Sequence, residues 1–177
     1  RELFPQLESH PFSQLPQRAW RTAYPLPYAD EVRAAAAQAR VDPMLVAGLV
    51  RQESAFSRGA LSRAKAYGLM QLLPSTARKL AKQERLAYST SRLTEPAYNL
   101  RLGSVYLAGL LARQGGREAA LASYNAGEDR VATWRASANF GEPAEFVESI
   151  PFTETREYVQ IVIRNSGIYR RLYGEGK

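Results

Sequence analysis

Proline and glycine punctuation limits what this chain can fold into more than any other feature. Asp42-Pro43 places a hydrogen-bond acceptor at an N-cap, just ahead of a proline at the first helical position. Pro74-Ser75 and Thr94-Glu95-Pro96 repeat the start signal, while Gly115-Gly116 and Gly127 offer left-handed stops. Alternating apolar and polar runs of strand type are scarce between these marks. The expected class is all-α. The punctuation predicts a helix capped by Asp30 over 31–40, then helices over 43–54, 74–82, 96–114, 117–125, 128–136, 142–149 and 153–173.

Half of the ten prolines, Pro5, Pro11, Pro16, Pro25 and Pro27, crowd the beginning of the chain. Proline lacks an N–H and restricts the residue before it, so this stretch is not expected to be helical throughout. Residues 1–26 read as a linker or packing arm and 27–177 as one helical domain. A chain of 177 residues buries about 70% of its extended surface, so it needs no disulfide or metal to hold a core.

Composition removes several chemistries. There is no Cys, so thiol nucleophiles, disulfides and Cys-bearing zinc sites are excluded. A single His, His10 in the proline-rich segment, removes two-His metal motifs and argues against a Ser-His-Asp triad. No metal or cofactor is expected, and catalysis would run on carboxylates, Tyr or Lys. No apolar run approaches the ~18 residues of a membrane span, and the N-terminus lacks the pattern of a signal peptide. The net charge of +7 suits an acidic partner such as nucleic acid, anionic lipid or a cell-wall polymer, or is simply a soluble basic surface. No helix carries the dense Lys/Arg run that nucleic-acid binding would need, so no nucleic-acid partner is expected.

The informative helix is 43–54. Leu45, Val46, Leu49 and Val50 form one apolar stripe, and Glu53 continues it at positions i+3, i+4 and i+7. Burial raises a carboxyl pKa, and so does the dipole in a helix's last turn. An acid still protonated near neutral pH is what general-acid catalysis requires. The plainer alternative is a residue at the margin of the stripe, or one paired with Arg51, Arg58 or Lys65. Residues 55–67 are small, polar and irregular and lead to Gly68-Leu69-Met70-Gln71, a loop placed where substrate groups would be sought. Ser123-Tyr124-Asn125-Ala126-Gly127 reads either as a sugar-contacting aromatic and amide or as a helix stop with Tyr124 in the core. In the last helix Glu154 and Tyr158 share a face with Val162, Asn165 and Tyr169, most of it core packing.

Gln52-Glu53-Ser54, Gly68-Leu69-Met70-Gln71, Tyr124-Asn125-Ala126-Gly127 and Ile150-Pro151-Phe152-Thr153-Glu154-Thr155-Arg156 with Tyr158-Val159, in this order and spacing, resemble the catalytic domain of soluble lytic transglycosylases. The resemblance covers about residues 27–173. It implies a lysozyme-like (goose-type) fold, peptidoglycan glycan strands as substrate and a periplasmic location in the bacterial envelope. Position by position it implies Glu53 as catalytic acid/base. Ser54 matches the serine that follows it, and Ser62 and Gln71 match groups lining the sugar sites. Tyr124 and Asn125 match the tyrosine motif near the bound N-acetylmuramic acid, and Glu154 and Tyr158 match the last motif beside the cleft. Ser123 stands where the family usually has Ala, and Leu73 where Met is common. Members often carry this domain after a long helical superhelix, so residues 1–26 are expected to be the end of such a connection. The implied reaction is non-hydrolytic cleavage of the β-1,4 bond between N-acetylmuramic acid and N-acetylglucosamine, giving a 1,6-anhydro product. A lysozyme-like hydrolase on the same fold, and a non-catalytic basic wall-binding module, are the competing readings.

Overall fold

The computed structural model describes residues 12–137 and 140–174; residues 1–11 of the proline-rich start, His10 among them, lie outside these. The helices, in chain order, are α1 (Gln17–Ala23), α2 (Ala29–Ala39), α3 (Pro43–Ser54), α4 (Pro74–Gln83), α5 (Pro96–Gln114), α6 (Arg117–Ala126), α7 (Glu128–Ala136), α8 (Pro143–Ser149) and α9 (Thr153–Tyr173). The described residues contain no β-strand, only isolated bridges joining Leu61 to Tyr67 and Tyr67 to Leu72. The all-α class therefore holds. None of these helices is long and apolar enough to cross a membrane.

The punctuation works largely as read. The Asp42 side chain accepts from Met44 N at 2.9 Å, Gly115 ends α5 at φ 67°, and Gly127 follows α6 at φ 93°. The Asp30 cap does not hold. α2 begins at Ala29 after Tyr28, whose φ is 58°, and Asp30 lies inside the first turn. The backbone reversal at Tyr28 sets the start, leaving Asp30 to complement the helix dipole.

α3 lies between α2 and α9, and α6 joins α9 to α5. Leu45, Val46, Leu49 and Val50 are all buried, as the stripe requires. Gly48 marks where α3 crosses α9. A Cβ there would lie 2.7 Å from Ser166 N and 2.9 Å from Val162 O, backbone atoms of α9 that cannot move aside cheaply. Glycine thus fixes the spacing of the two helices that carry Glu53 and Tyr158. The described part of the N-terminal stretch packs on the same helix pair. Trp20 and Tyr24 are buried, Tyr169 donates to Pro25 O at 3.0 Å, and Tyr173 donates to Tyr24 O at 2.9 Å.

Candidate active site

Glu53 sits in the last turn of α3, and its Oε1 accepts a 2.6 Å hydrogen bond from the Tyr158 hydroxyl of α9. Burial pushes the Glu53 carboxyl up to about 7, and the Tyr158 hydrogen bond opposes the rise. Desolvation dominates because water is lost from the charged form, whereas a lone hydroxyl restores only part of its solvation. The pairing with Arg51, Arg58 or Lys65 does not occur among the described residues. Arg51 instead lies over the Tyr24 ring, 3.8 Å from its centroid, and Arg58 and Lys65 are exposed.

Tyr124 is the second phenol near the carboxyl. Burial first, then the Glu53 charge, lift both Tyr124 and Tyr158 well above the usual phenol range, so both are donors rather than phenolates. Tyr124 donates to Met70 O at 2.8 Å, which ties α6 to the loop after α3. Its neighbour Asn125 is exposed and accepts from Thr155 Oγ1 at 2.7 Å. That bond joins α6 to the first turn of α9.

The loop 55–73 forms the other side. Ser54 Oγ donates to Leu69 O at 2.8 Å. Ser62 Oγ accepts from Ala66 N at 3.0 Å and closes a turn within the loop. Gln71 adopts φ 47°, and its Nε2 donates to Gly68 O at 2.9 Å and Ala60 O at 3.2 Å. The side-chain carbonyl of Gln71 keeps its acceptor capacity, as does the Ser62 hydroxyl its donor.

Glu53, Tyr158, Tyr124 and the Ser54–Gln71 loop thus form one connected cluster, with Asn125 attached through Thr155. Glu154 stands apart. It is exposed, and among the described residues it bonds to none of these groups. The buried face of α9 begins at Thr155 and continues through Tyr158, so Glu154 projects from the rim. Two hydrogen-bonding residues were not singled out from the sequence: Thr155, which lies inside the last motif, and Asn99 of α5, whose side chain accepts from Met70 N at 2.8 Å. Beside the site, a cavity of about 340 Å³ is lined by Thr76, Lys79, Gln83, Tyr106, Arg113 and Glu128. It adjoins the cluster through the Tyr106 ring, 5.1 Å from that of Tyr124.

The arrangement offers one carboxyl that titrates near neutrality, held by a phenol and flanked by amides and hydroxyls able to hydrogen-bond a polar ligand. Among the described residues no group of His, Cys, Asp and Glu is clustered to hold a metal.

The family described as Transglycosylase SLT domain matches residues 30–147, and the soluble lytic transglycosylase helical domain matches residues 149–177. The soluble lytic murein transglycosylase of Escherichia coli K12 is 36% identical over 156 residues, covering 86% of this chain and 24% of that protein. The solved 70 kDa soluble lytic transglycosylase of Escherichia coli superposes with a TM-score of 0.82 at 33% identity, covering 88% of this chain and 26% of that one. Slt from Pseudomonas aeruginosa, solved as an inactive mutant, gives 0.82 at 32% identity with the same coverage. The chain spans about a quarter of the length of the relatives it matches.

Proposed function

We propose that this chain, which belongs to the transglycosylase SLT domain family, is a peptidoglycan lytic transglycosylase cleaving the N-acetylmuramic acid–N-acetylglucosamine β-1,4 bond without water. The observation that carries this reading is the Glu53 carboxyl, held near neutrality by burial with the Tyr158 hydroxyl as its partner. A group with a pKa of about 7 is half protonated at neutral pH and serves equally well as acid and as base.

Protonated Glu53 gives its proton to the glycosidic oxygen as the C1–O bond breaks, and N-acetylglucosamine leaves with a free 4-hydroxyl. The substrate's own N-acetyl group stabilises the positive C1, as in substrate-assisted glycosidases. Ionised Glu53 then takes the proton from the muramoyl C6 hydroxyl while that oxygen bonds to C1 and closes a 1,6-anhydro ring. Glu53 ends protonated as it began, its first proton now on the leaving 4-hydroxyl and its second taken from the C6 hydroxyl, so one carboxyl suffices. Tyr158 steadies the carboxylate between the two steps and loses little when the acid is neutral. Ser54 acts by holding the loop. Ser62, Gln71, Tyr124, Asn125 and, at the rim, Glu154 are the sugar contacts. A wall substrate puts the protein in the bacterial envelope, in the periplasm.

Mass spectrometry of peptidoglycan digested by this chain tests the reading. Products should be one water lighter than lysozyme products, with no reducing muramic acid. Ordinary reducing ends would make it a hydrolase, and no digestion at all a wall-binding module.

A further inference from the structure

We infer that Asn99 of α5 is a positioning residue for the reaction: it holds the Gly68–Gln71 turn and, through Met70 and Tyr124, keeps the Glu53 carboxyl desolvated. This rests on the proposed role of Glu53 as the acid. Asn99 is fully buried, and every hydrogen of its amide is used. Its Oδ1 accepts from Met70 N at 2.8 Å. Its Nδ2 donates to Tyr67 O and to Leu93 O, both at 2.9 Å. Only an amide on a short stem supplies one acceptor and two donors here. Asp would set a carboxylate against two carbonyl oxygens, and Gln would not fit the space.

That space is tight where the two glycines beside it face it. A Cβ on Gly68, at φ +76°, would lie 2.1 Å from Leu93 O and 2.5 Å from Asn99 Nδ2. One turn along α5, a Cβ on Gly103 would lie 2.3 Å from Met70 Sδ. The turn that Asn99 grips is strained, because Gln71 holds φ 47° without being glycine. Such a conformation persists only where its surroundings over-determine it. Asn99 grips the Met70 N–H while Tyr124 grips the Met70 carbonyl at 2.8 Å, so the residue is fixed at both ends. The same turn is tied to the residue beside the carboxyl, since Ser54 Oγ donates to Leu69 O at 2.8 Å, so the wall that Tyr124 and the turn build next to Glu53 depends on a side chain that touches neither substrate nor carboxyl.

Relaxing the grip should let water reach Glu53 and lower its pKa. The readout is the alkaline limb of kcat/KM against pH, set in the parent by Glu53 at about 7. In Asn99→Ser the limb should fall by more than one pH unit; a fall of about 1.5 would cut the protonated fraction at pH 7 about 15-fold. Leu110→Ala, a buried change further along the same helix, should lower the melting temperature and leave the limb in place. Tyr124→Phe cuts the Met70 link without emptying the Asn99 cradle and should move the limb the same way, which covers a failure of Asn99→Ser to fold. A limb that stays put in Asn99→Ser or Tyr124→Phe, or that moves equally in Leu110→Ala, overturns the inference. A parent with no limb near 7 overturns instead the reading of Glu53 itself.

Discussion

Glu53→Gln should make the folded protein more stable at neutral and alkaline pH, and the gain can be worked from the site. The carboxyl has an ordinary value of 4.5 and is raised to about 7 in the fold. Below 4.5 the folded and unfolded states both hold the proton, and stability does not depend on it. Between 4.5 and 7 only the folded state keeps the proton, so stability falls by about 1.4 kcal/mol per pH unit. Above 7 the loss is complete and constant, at about 3 kcal/mol. Gln never ionises, has nearly the same shape and still offers an oxygen to the Tyr158 hydroxyl, so it escapes the loss. For a domain of this size about 3 kcal/mol corresponds to about 6–12 °C in Tm. The assay is urea unfolding of both proteins from about pH 4 to about pH 8.5, read as their difference, in which the other titrating groups cancel. The difference should grow in favour of Gln across that window and then level off. Parallel curves would show that Glu53 titrates as an ordinary carboxyl, and the argument for a pre-protonated acid would fail without any substrate having been added.

Tyr158→Phe removes the one group that pulls the Glu53 pKa down, so the alkaline limb of the pH–rate profile should rise by about one pH unit, the worth of a hydrogen bond to a charged group; a fall would mean that Tyr158 acts mainly by excluding water. Ser123→Ala should raise stability by about 1 kcal/mol at unchanged activity, because the Ser123 hydroxyl is buried without a partner among the described residues. A lower urea midpoint for that variant would show that the hydroxyl is satisfied after all.

The helix boundaries were legible because they are local: a cap acceptor, a proline at N1 or a glycine stop acts within a few residues. Glu53 was legible as a candidate for the same reason, since it continues the Leu45–Val50 stripe; the stripe alone left a marginal or paired acid open, and the fold places it half-buried against Tyr158. What sequence periodicity could not supply was the partner. Tyr158 lies 105 positions away, and its helical pattern places it among core residues, where it also is. Asn99 escaped because a single polar residue on an apolar face has no periodic signal, and its three bonds reach backbone atoms whose positions depend on the loop's path. Glu154 was read on the Tyr158 face from i,i+4 spacing. Spacing says which residues align along α9 but not where the neighbouring helices stop covering it, and their cover begins at Thr155.

On the proposed mechanism Glu53 gives one proton and then takes another, which needs a pKa near the working pH, and here that value is a balance of opposed effects. Burial alone would carry it higher, and the Tyr158 hydroxyl draws it back. A cation at contact distance would undo the balance, returning the group to the ordinary carboxylate range and leaving no acid at neutral pH. Arg51, the nearest cation in sequence, sits two residues before Glu53 on the same helix and so projects from a different face. It is held against the ring of Tyr24 instead, and Tyr24 is buried against Tyr169 of α9 with ring centroids 5.8 Å apart. The described part of the segment before α2 thus takes up this cation. It gives Arg51 an aromatic face to lie on. With the α3–α9 spacing that Gly48 sets, this leaves Tyr158 as the polar neighbour that tunes the acid.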